Sequence, residues 1–178
     1  MFKWSYQTPA NFDNITMSSD GEFLTGLWFD GSSDERKHVS SYQKKYLPIF
    51  KETCDWLDTY FTGKEPGFTP KYTIDNLTPF RKDVQEIMEK IPFGKTISYG
   101  KIAKTIAKNR GIPKMPARTV GGAVGWNPVC LIIPCHRVVG TNGSLTGYGG
   151  GIKNKIALFK LEGIDLADYI IPTKGTKL

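Results

Sequence analysis

The run Ile132-Ile133-Pro134-Cys135-His136-Arg137-Val138 puts a thiol beside an imidazole and a guanidinium. It lies in a stretch without carboxylates: the last acid before it is Glu89 and the next is Glu162, so residues 90–161 carry twelve Lys or Arg and no Asp or Glu. Nearby cations favour the thiolate, which is the form of cysteine that attacks an electrophile. Nucleophilic chemistry at Cys135 is one reading. Packing is the other, because cysteine is among the most buried residue types. Cys130-Leu131-Ile132-Ile133 reads as a buried strand, and neighbours on an extended chain point to opposite faces. Cys135 would then close that strand with His136 turned away. The short motif leaves both readings open.

The elements around it must come from a chain of 178 residues, long enough for one large domain or two small ones. A hydrophobic share of 39%, with 10 Phe, 8 Tyr and 4 Trp, describes a folded protein. No apolar run has the length of a membrane span. Met1-Phe2-Lys3-Trp4-Ser5-Tyr6 lacks the apolar core of a secretion signal, so a cytoplasmic protein without membrane attachment is expected. Three cysteines argue against a disulfide scaffold. Cys54, Cys130, Cys135, His38 and His136 have no zinc-site spacing, so no metal is expected. Charge divides unevenly. Residues 1–78 hold 8 basic and 11 acidic side chains, net −3, whereas residues 79–178 hold 16 and 6, net +10. A basic half joined to a mildly acidic one is the footprint of a nucleic-acid binder with its contact surface in one half.

Period and punctuation divide the chain in the same place. Asn14–Met17 and Glu22–Phe29 flank Asp20-Gly21, a hairpin signal. Gly31 to Lys37 reads as a polar loop. Phe50, Cys54, Leu57 and Phe61 then give a helical stripe, with Pro48 suited to its start and Gly63 to its end. Gly63–Asn76 has linker composition. Thr78-Pro79 opens a second unit as cap and first helical residue, and Phe80, Val84, Ile87, Met88 and Ile91 share one face up to Pro92-Phe93-Gly94. Ser98 can cap a helix burying Ile102, Ala103 and Ile106, and Pro116 can start another over Ala117–Val124. The fold class expected is α+β, with an N-terminal strand and helix unit over 1–76 and a helix-turn-helix of the winged kind over 77–178.

The last of these helices is built against its own stability, since each of Gly121 and Gly122 costs about 1 kcal/mol relative to alanine. With Ala123 and Gly125 they make a slim helix whose backbone can approach another molecule closely, and Arg118 is its one charge. A thin helix bearing one arginine suits a narrow groove better than base reading in the major groove, which calls for Asn, Gln and Arg.

Tyr99, Arg118, Asn127-Pro128 and the Cys135 run, in this order, closely resemble the O6-alkylguanine-DNA alkyltransferases, also called methylated-DNA–protein-cysteine methyltransferases. The match runs from about Thr78 to Gly163, through ISYGKIA, ARTVGGAV, NPVCLIIPCHRVVG, GSLTGYGGG and LFKLEG. The strand-strand-helix order of residues 1–75 is similar to that family's variable N-terminal domain, which is RNase H-like. The resemblance implies repair of double-stranded DNA by irreversible, single-turnover transfer of an alkyl group from O6-alkylguanine, and from O4-alkylthymine, to Cys135 after base flipping, with no cofactor. His136 would act as base through a water, Glu162 would orient His136, Asn127 would brace the turn, and Tyr99 would press on a phosphate and donate a proton to the departing guanine. Arg118 would fill the gap left by the extruded base from the minor groove. Ser98, Ala117, Thr119, Gly121, Gly122 and Arg137 would join it and Tyr99 at the DNA. Pro134, Val138, Tyr148, Gly149 and Gly150 would line the base pocket, Gly147 would share its mobile wall, and the protein would act as a monomer, at the nucleoid if prokaryotic. Two positions depart from the family pattern: Trp126 stands where a smaller or polar residue is usual, and Gly149 where some members have serine.

Three other functions would leave different signatures. A non-enzymatic lesion sensor carries another residue, often Trp, at the cysteine position. A winged-helix transcription factor with an incidental cysteine binds sequence-specifically and forms no covalent product. A Cys-His hydrolase turns over repeatedly and has no need of a basic half.

Overall fold

Phe2, Trp4 and Tyr6 alternate with Lys3 and Ser5, and this period of two makes strand β1 (Phe2–Tyr6), which the sequence reading did not anticipate. The computed structural model describes residues 1–37 and 41–172; His38 lies outside them. Strands β2 (Ile15–Ser19) and β3 (Leu24–Phe29) form the expected hairpin. Asp20 closes it by accepting the N–H groups of Glu22 and Phe23 at 2.9 and 2.8 Å. With β4 (Gln43–Lys44) the sheet order is β3-β2-β1-β4, antiparallel except for the β1–β4 pair.

The outer edge of β3 does not stay open, because unpaired strand N–H and C=O groups need partners. Leu24 N–H donates to Lys71 O and Thr73 N–H to Leu24 O, both at 2.9 Å. Part of the stretch read as a linker thus docks on the sheet. Further along, Leu27 N–H donates to Pro128 O and Cys130 N–H to Leu27 O, again at 2.9 Å, so the same edge holds the chain that leads into Cys135.

Helix α1 (Pro48–Tyr60) starts at Pro48, and the chain turns away at Gly63 with φ +79°. Its buried face is Ile49, Phe50, Thr53, Trp56, Leu57 and Tyr60, while Cys54 and Phe61 are half-buried. The stripe is rotated by about one residue from the expected one. Thr53 can be buried because its hydroxyl donates to Ile49 O at 2.8 Å.

In α2 (Pro79–Met88) the Thr78 hydroxyl caps the Arg81 N–H, and Val84 and Met88 are buried. Ser98 caps α3 (Tyr99–Asn109), which buries Ile102, Ala103 and Ile106, and α4 (Ala117–Val124) follows Pro116. Strands β5 (Ile97–Ser98) and β6 (Val138–Val139) pair in parallel, and α5 (Ile152–Leu161) follows. The fold is α+β. One apolar cluster runs through it from Ile15, Phe29 and Leu57 to Val84, Ile102, Val124 and Cys135, so both halves share a core.

Residues 130–133 are a tight turn rather than the expected buried strand. Leu131 has φ +69°, and Ile132 N–H donates to Cys130 O at 2.8 Å. The chain then enters a short 3₁₀ turn, Cys135–Arg137. Among the described residues no helix is long and apolar enough to cross a membrane.

Candidate functional site

Two hydrogen bonds from one amide shape the cysteine turn. Asn127 Nδ2 donates to Ile133 O at 2.9 Å and to Cys135 Sγ at 3.2 Å, while its Oδ1 accepts the Val129 N–H at 3.0 Å. Cys135 is nearly buried, 7% exposed. Its thiol pKa is nevertheless lowered. The adjoining Cys130 is the main cause, Lys37 and Asn127 add to it, and burial and Asp34 oppose it.

His136 is fully buried next door, and Nε2 lies 2.8 Å from Glu162 Oε1. Burial pushes the imidazole pKa down against the pull of Glu162, so the ring is neutral near pH 7. A neutral ring beside a carboxylate must carry its proton on Nε2. The basic lone pair is then on Nδ1, which is buried and has no protein partner among the described residues. A base oriented by an acid, on the residue next to a cysteine, supplies the groups that nucleophilic catalysis by a thiol uses.

Glu162 receives more than His136. The Tyr60 hydroxyl donates to Oε1 at 2.6 Å, Gly94 N–H to Oε2 at 3.0 Å, and Arg137 Nε to Oε2 at 2.9 Å. Burial alone would raise this carboxyl. The hydrogen bonds from His136 and Arg137 and the Arg137 charge outweigh it and hold Glu162 well below the usual carboxylate range.

Arg137, expected at the DNA surface, is therefore a correction. It is buried, and Nη1 donates to Ile91 O at 2.7 Å while Nε and Nη2 grip Glu162. A buried carboxylate needs a compensating charge, and Arg137 is the nearest one. Tyr60 and Lys155 escaped the sequence reading. Lys155 is fully buried with Nζ donating to Val138 O at 2.7 Å, and burial lowers its pKa to about 8.

Pro134 and Val138 are buried on either side of the thiol turn, and Val138 belongs to β6. Tyr148 folds back over Gly150 so closely that a Cβ there would meet its ring at 2.6 Å, which only glycine permits. Burial, followed by the charges of Cys130 and Cys135, keeps the Tyr148 phenol protonated.

Tyr99, Ala117, Arg118, Gly121 and Gly122 line one cleft of about 460 Å³, with Gly147 on its far side. Gly147 has φ +83°, and a Cβ there would sit 3.0 Å from the Tyr99 hydroxyl, so the loop can reach Tyr99 only as glycine. Burial and the neighbouring Cys135 push the Tyr99 phenol up to about 12. Arg118 and Thr119 are exposed, whereas the Ser98 hydroxyl is occupied as the α3 cap, accepting the Lys101 N–H at 3.1 Å. Lys101, Lys104, Lys108 and Lys114 stand exposed around these helices. Neither they nor Arg118 make an ion pair among the described residues. Trp126 does not face this cleft: the Arg81 guanidinium of α2 stacks on its ring at 4.0 Å.

Residues 79–164 match the profile of the family described as 6-O-methylguanine DNA methyltransferase, DNA binding domain. The chain is 31% identical over 169 residues to a methylated-DNA–protein-cysteine methyltransferase of Haemophilus influenzae, covering 95% of this chain and 88% of that protein. A protein of the same name from Mycobacterium bovis is 45% identical over 151 residues, covering 83% and 85%. Among solved structures, Mycobacterium tuberculosis OGT in complex with DNA superposes with a TM-score of 0.76 at 32% identity, over 95% of each chain.

Proposed function

The chain belongs to the methylated-DNA–protein-cysteine methyltransferases, and from that premise we propose that Cys135 takes the alkyl group from O6-alkylguanine swung out of duplex DNA. The protein is an alkyl-transferring DNA-repair enzyme that binds DNA. The observation that carries the residue assignment is at His136, the residue after the thiol: Nε2 is engaged by Glu162, and the buried Nδ1 has no protein partner among the described residues.

His136 takes the Cys135 proton through a water. Sγ attacks the alkyl carbon in line, a C–S bond forms, the C–O6 bond breaks, and its electron pair leaves with guanine. Tyr99 faces that leaving group. A phenol raised to about 12 gives a hydrogen bond readily and its proton reluctantly, so Tyr99 acts chiefly as a hydrogen-bond donor. The proton released at Cys135 finally neutralises the guanine anion through water. The thioether is stable, so each chain reacts once, and O4-alkylthymine offers the same leaving oxygen. Extrusion is required because a buried thiol cannot reach O6 inside the stack.

We assign residues 77–178 to a winged helix-turn-helix unit whose slim α4 enters the minor groove, and residues 1–76 to an RNase H-like unit, acting together as a monomer in the cytoplasm or nucleoid. The unpaired lysines flanking α3 and α4 support phosphate contact there. Tyr148, Gly149 and Gly150, with Pro134 and Val138, form the base pocket.

The test is intact mass and peptide mapping after incubation with a methylated duplex. One methyl group on Cys135 is expected; an unmodified Cys135 in a folded, reduced chain ends the reading. Two further outcomes follow from the geometry. Because the neutral imidazole is the base and its pKa is lowered, single-turnover rates should be flat near neutrality. They should fall in acid with a midpoint below the ordinary value of 6.5; a midpoint above it contradicts the base role. Arg118→Ala removes the wedge, so repair in duplex should slow about ten- to a hundredfold, more than reaction with the free alkylated base. Equal losses refute the wedge.

A further inference from the structure

One turn of the N-terminal unit reaches two separate segments of the reactive centre. In the short 3₁₀ stretch Ser33–Lys37, the Ser33 hydroxyl donates to Gly149 O at 2.9 Å, and Lys37 Nζ donates to Asn127 O at 3.0 Å. Between them Asp34, only 2% exposed, accepts a hydrogen bond from the Cys130 thiol at 3.1 Å and forms an ion pair with Lys37. Its carboxylate also lies where a side chain on residue 149 would go, since a Cβ built on Gly149 collides with it. The polar stretch read as a loop thus contributes a buried carboxylate, paired with a more exposed lysine, to the surroundings of Cys135.

A buried carboxylate is a poor space-filler on stability grounds, because its desolvation must be offset by its partners and a well-packed apolar residue of similar volume usually serves as well or better. Asp34 and Lys37 touch nothing but active-centre segments and each other among the hydrogen bonds and ion pairs of the described residues. We propose that Asp34 is a specificity-determining residue for the transfer: it fills the side-chain space of residue 149 and limits the size of the alkyl group that can lie against Cys135 Sγ. The inference rests on the reading of Cys135 as acceptor and of Tyr148–Gly150 as pocket wall. A methyl group adds nothing beyond the carbon under attack. A benzyl group adds a ring that must find room beside Sγ, where Asn127 and Cys130 are already fixed by Lys37 and Asp34. Moving the carboxylate aside means breaking its pair and leaving a charge desolvated.

The experiment offers duplexes containing O6-methylguanine or O6-benzylguanine to one sample of full-length protein and follows both adducts by intact mass. Asp34→Gly should raise the benzyl-to-methyl rate ratio about tenfold or more, and Asp34→Asn, which keeps the volume, should leave the ratio low. Loss of fold lowers both rates and cannot mimic a raised ratio. Gly149→Ser provides an independent arm. Its new Cβ is forced against Asp34, so methyl transfer should slow about tenfold or more, and adding Asp34→Gly should recover rate. An unmoved ratio in Asp34→Gly, or a double variant no faster than Gly149→Ser, overturns the proposal. A parent chain that transfers neither group sinks the acceptor reading instead.

Discussion

A Cys135→Ala chain takes up no alkyl group, losing at least about a thousandfold in transfer rate, and still binds an alkylated duplex much as the parent does. The two halves of this result have separate physical causes. Transfer needs a polarisable nucleophile at one point, and the other thiols cannot substitute. Cys130 is buried with its thiol hydrogen-bonded to Asp34, and Cys54 sits on α1, where burial and then Asp58 and Asp55 raise its pKa to about 11. On the proposed reading binding draws on the exposed Lys101, Lys104, Lys108, Lys114 and Arg118, none of which is hydrogen-bonded to the thiol among the described residues. The turn itself survives the substitution because Asn127 keeps its bonds to Ile133 O and Val129 N–H. Gel shift on catalytically dead protein, alongside intact mass, reads both halves. Adduct on the variant would move the acceptor elsewhere, and loss of binding would mean that Cys135 is part of the DNA surface.

What the chain reveals on inspection is what local chemistry decides. Thr78 and Ser98 cap the helices they precede, Gly63 takes the left-handed turn after α1, and Arg118 stands exposed on a helix thinned by Gly121 and Gly122. The features that stayed hidden depend on partners distant in sequence. Asp34 is 96 residues from Cys130, and Tyr60 is 102 from Glu162. Nothing near Asp34 marks it as buried, since Ser33, Glu35 and Lys37 are all polar. Tyr60 stays hidden for a subtler reason: the stripe Phe50, Cys54, Leu57, Phe61 aims Phe61 at the core, whereas the buried face includes Thr53 and Tyr60. Arg137, which the resemblance puts at the DNA, is held inside instead. The carboxylate that ends the acid-free span, Glu162, turns out to be its partner.

Glu162→Ala should be the most destabilising single change at this site. The side chain accepts from Tyr60, His136, Arg137 and Gly94 in a buried position. Removing it strands the Arg137 charge in the core with only Ile91 O to hold it. Breaking a buried pair from one side costs about 3–5 kcal/mol, which for a chain of this size lowers the melting temperature by about 6–20 °C. The same residue carries a pH signature. Its pKa is lower in the folded chain than in the unfolded one, so its contribution is fully present above the unfolded value of about 4.3. It is lost as pH falls below that toward the native value, because the unfolded chain then binds the proton first. The parent should therefore lose stability on acidification more steeply than Glu162→Ala. Transfer should fall as well, by about a hundred- to ten-thousandfold, since nothing would then fix the proton of His136 on Nε2 and leave Nδ1 as the base. Glu162→Gln separates the two effects. It preserves volume and packing yet replaces one acceptor oxygen with a donor amide facing Arg137, so it should recover part of the melting temperature while transfer stays impaired. Melts at pH 7 and in mild acid, with single-turnover rates on the same samples, make the comparison. A Glu162→Ala chain that melts like the parent would show that the cluster around Glu162 does not hold the two halves of the site together.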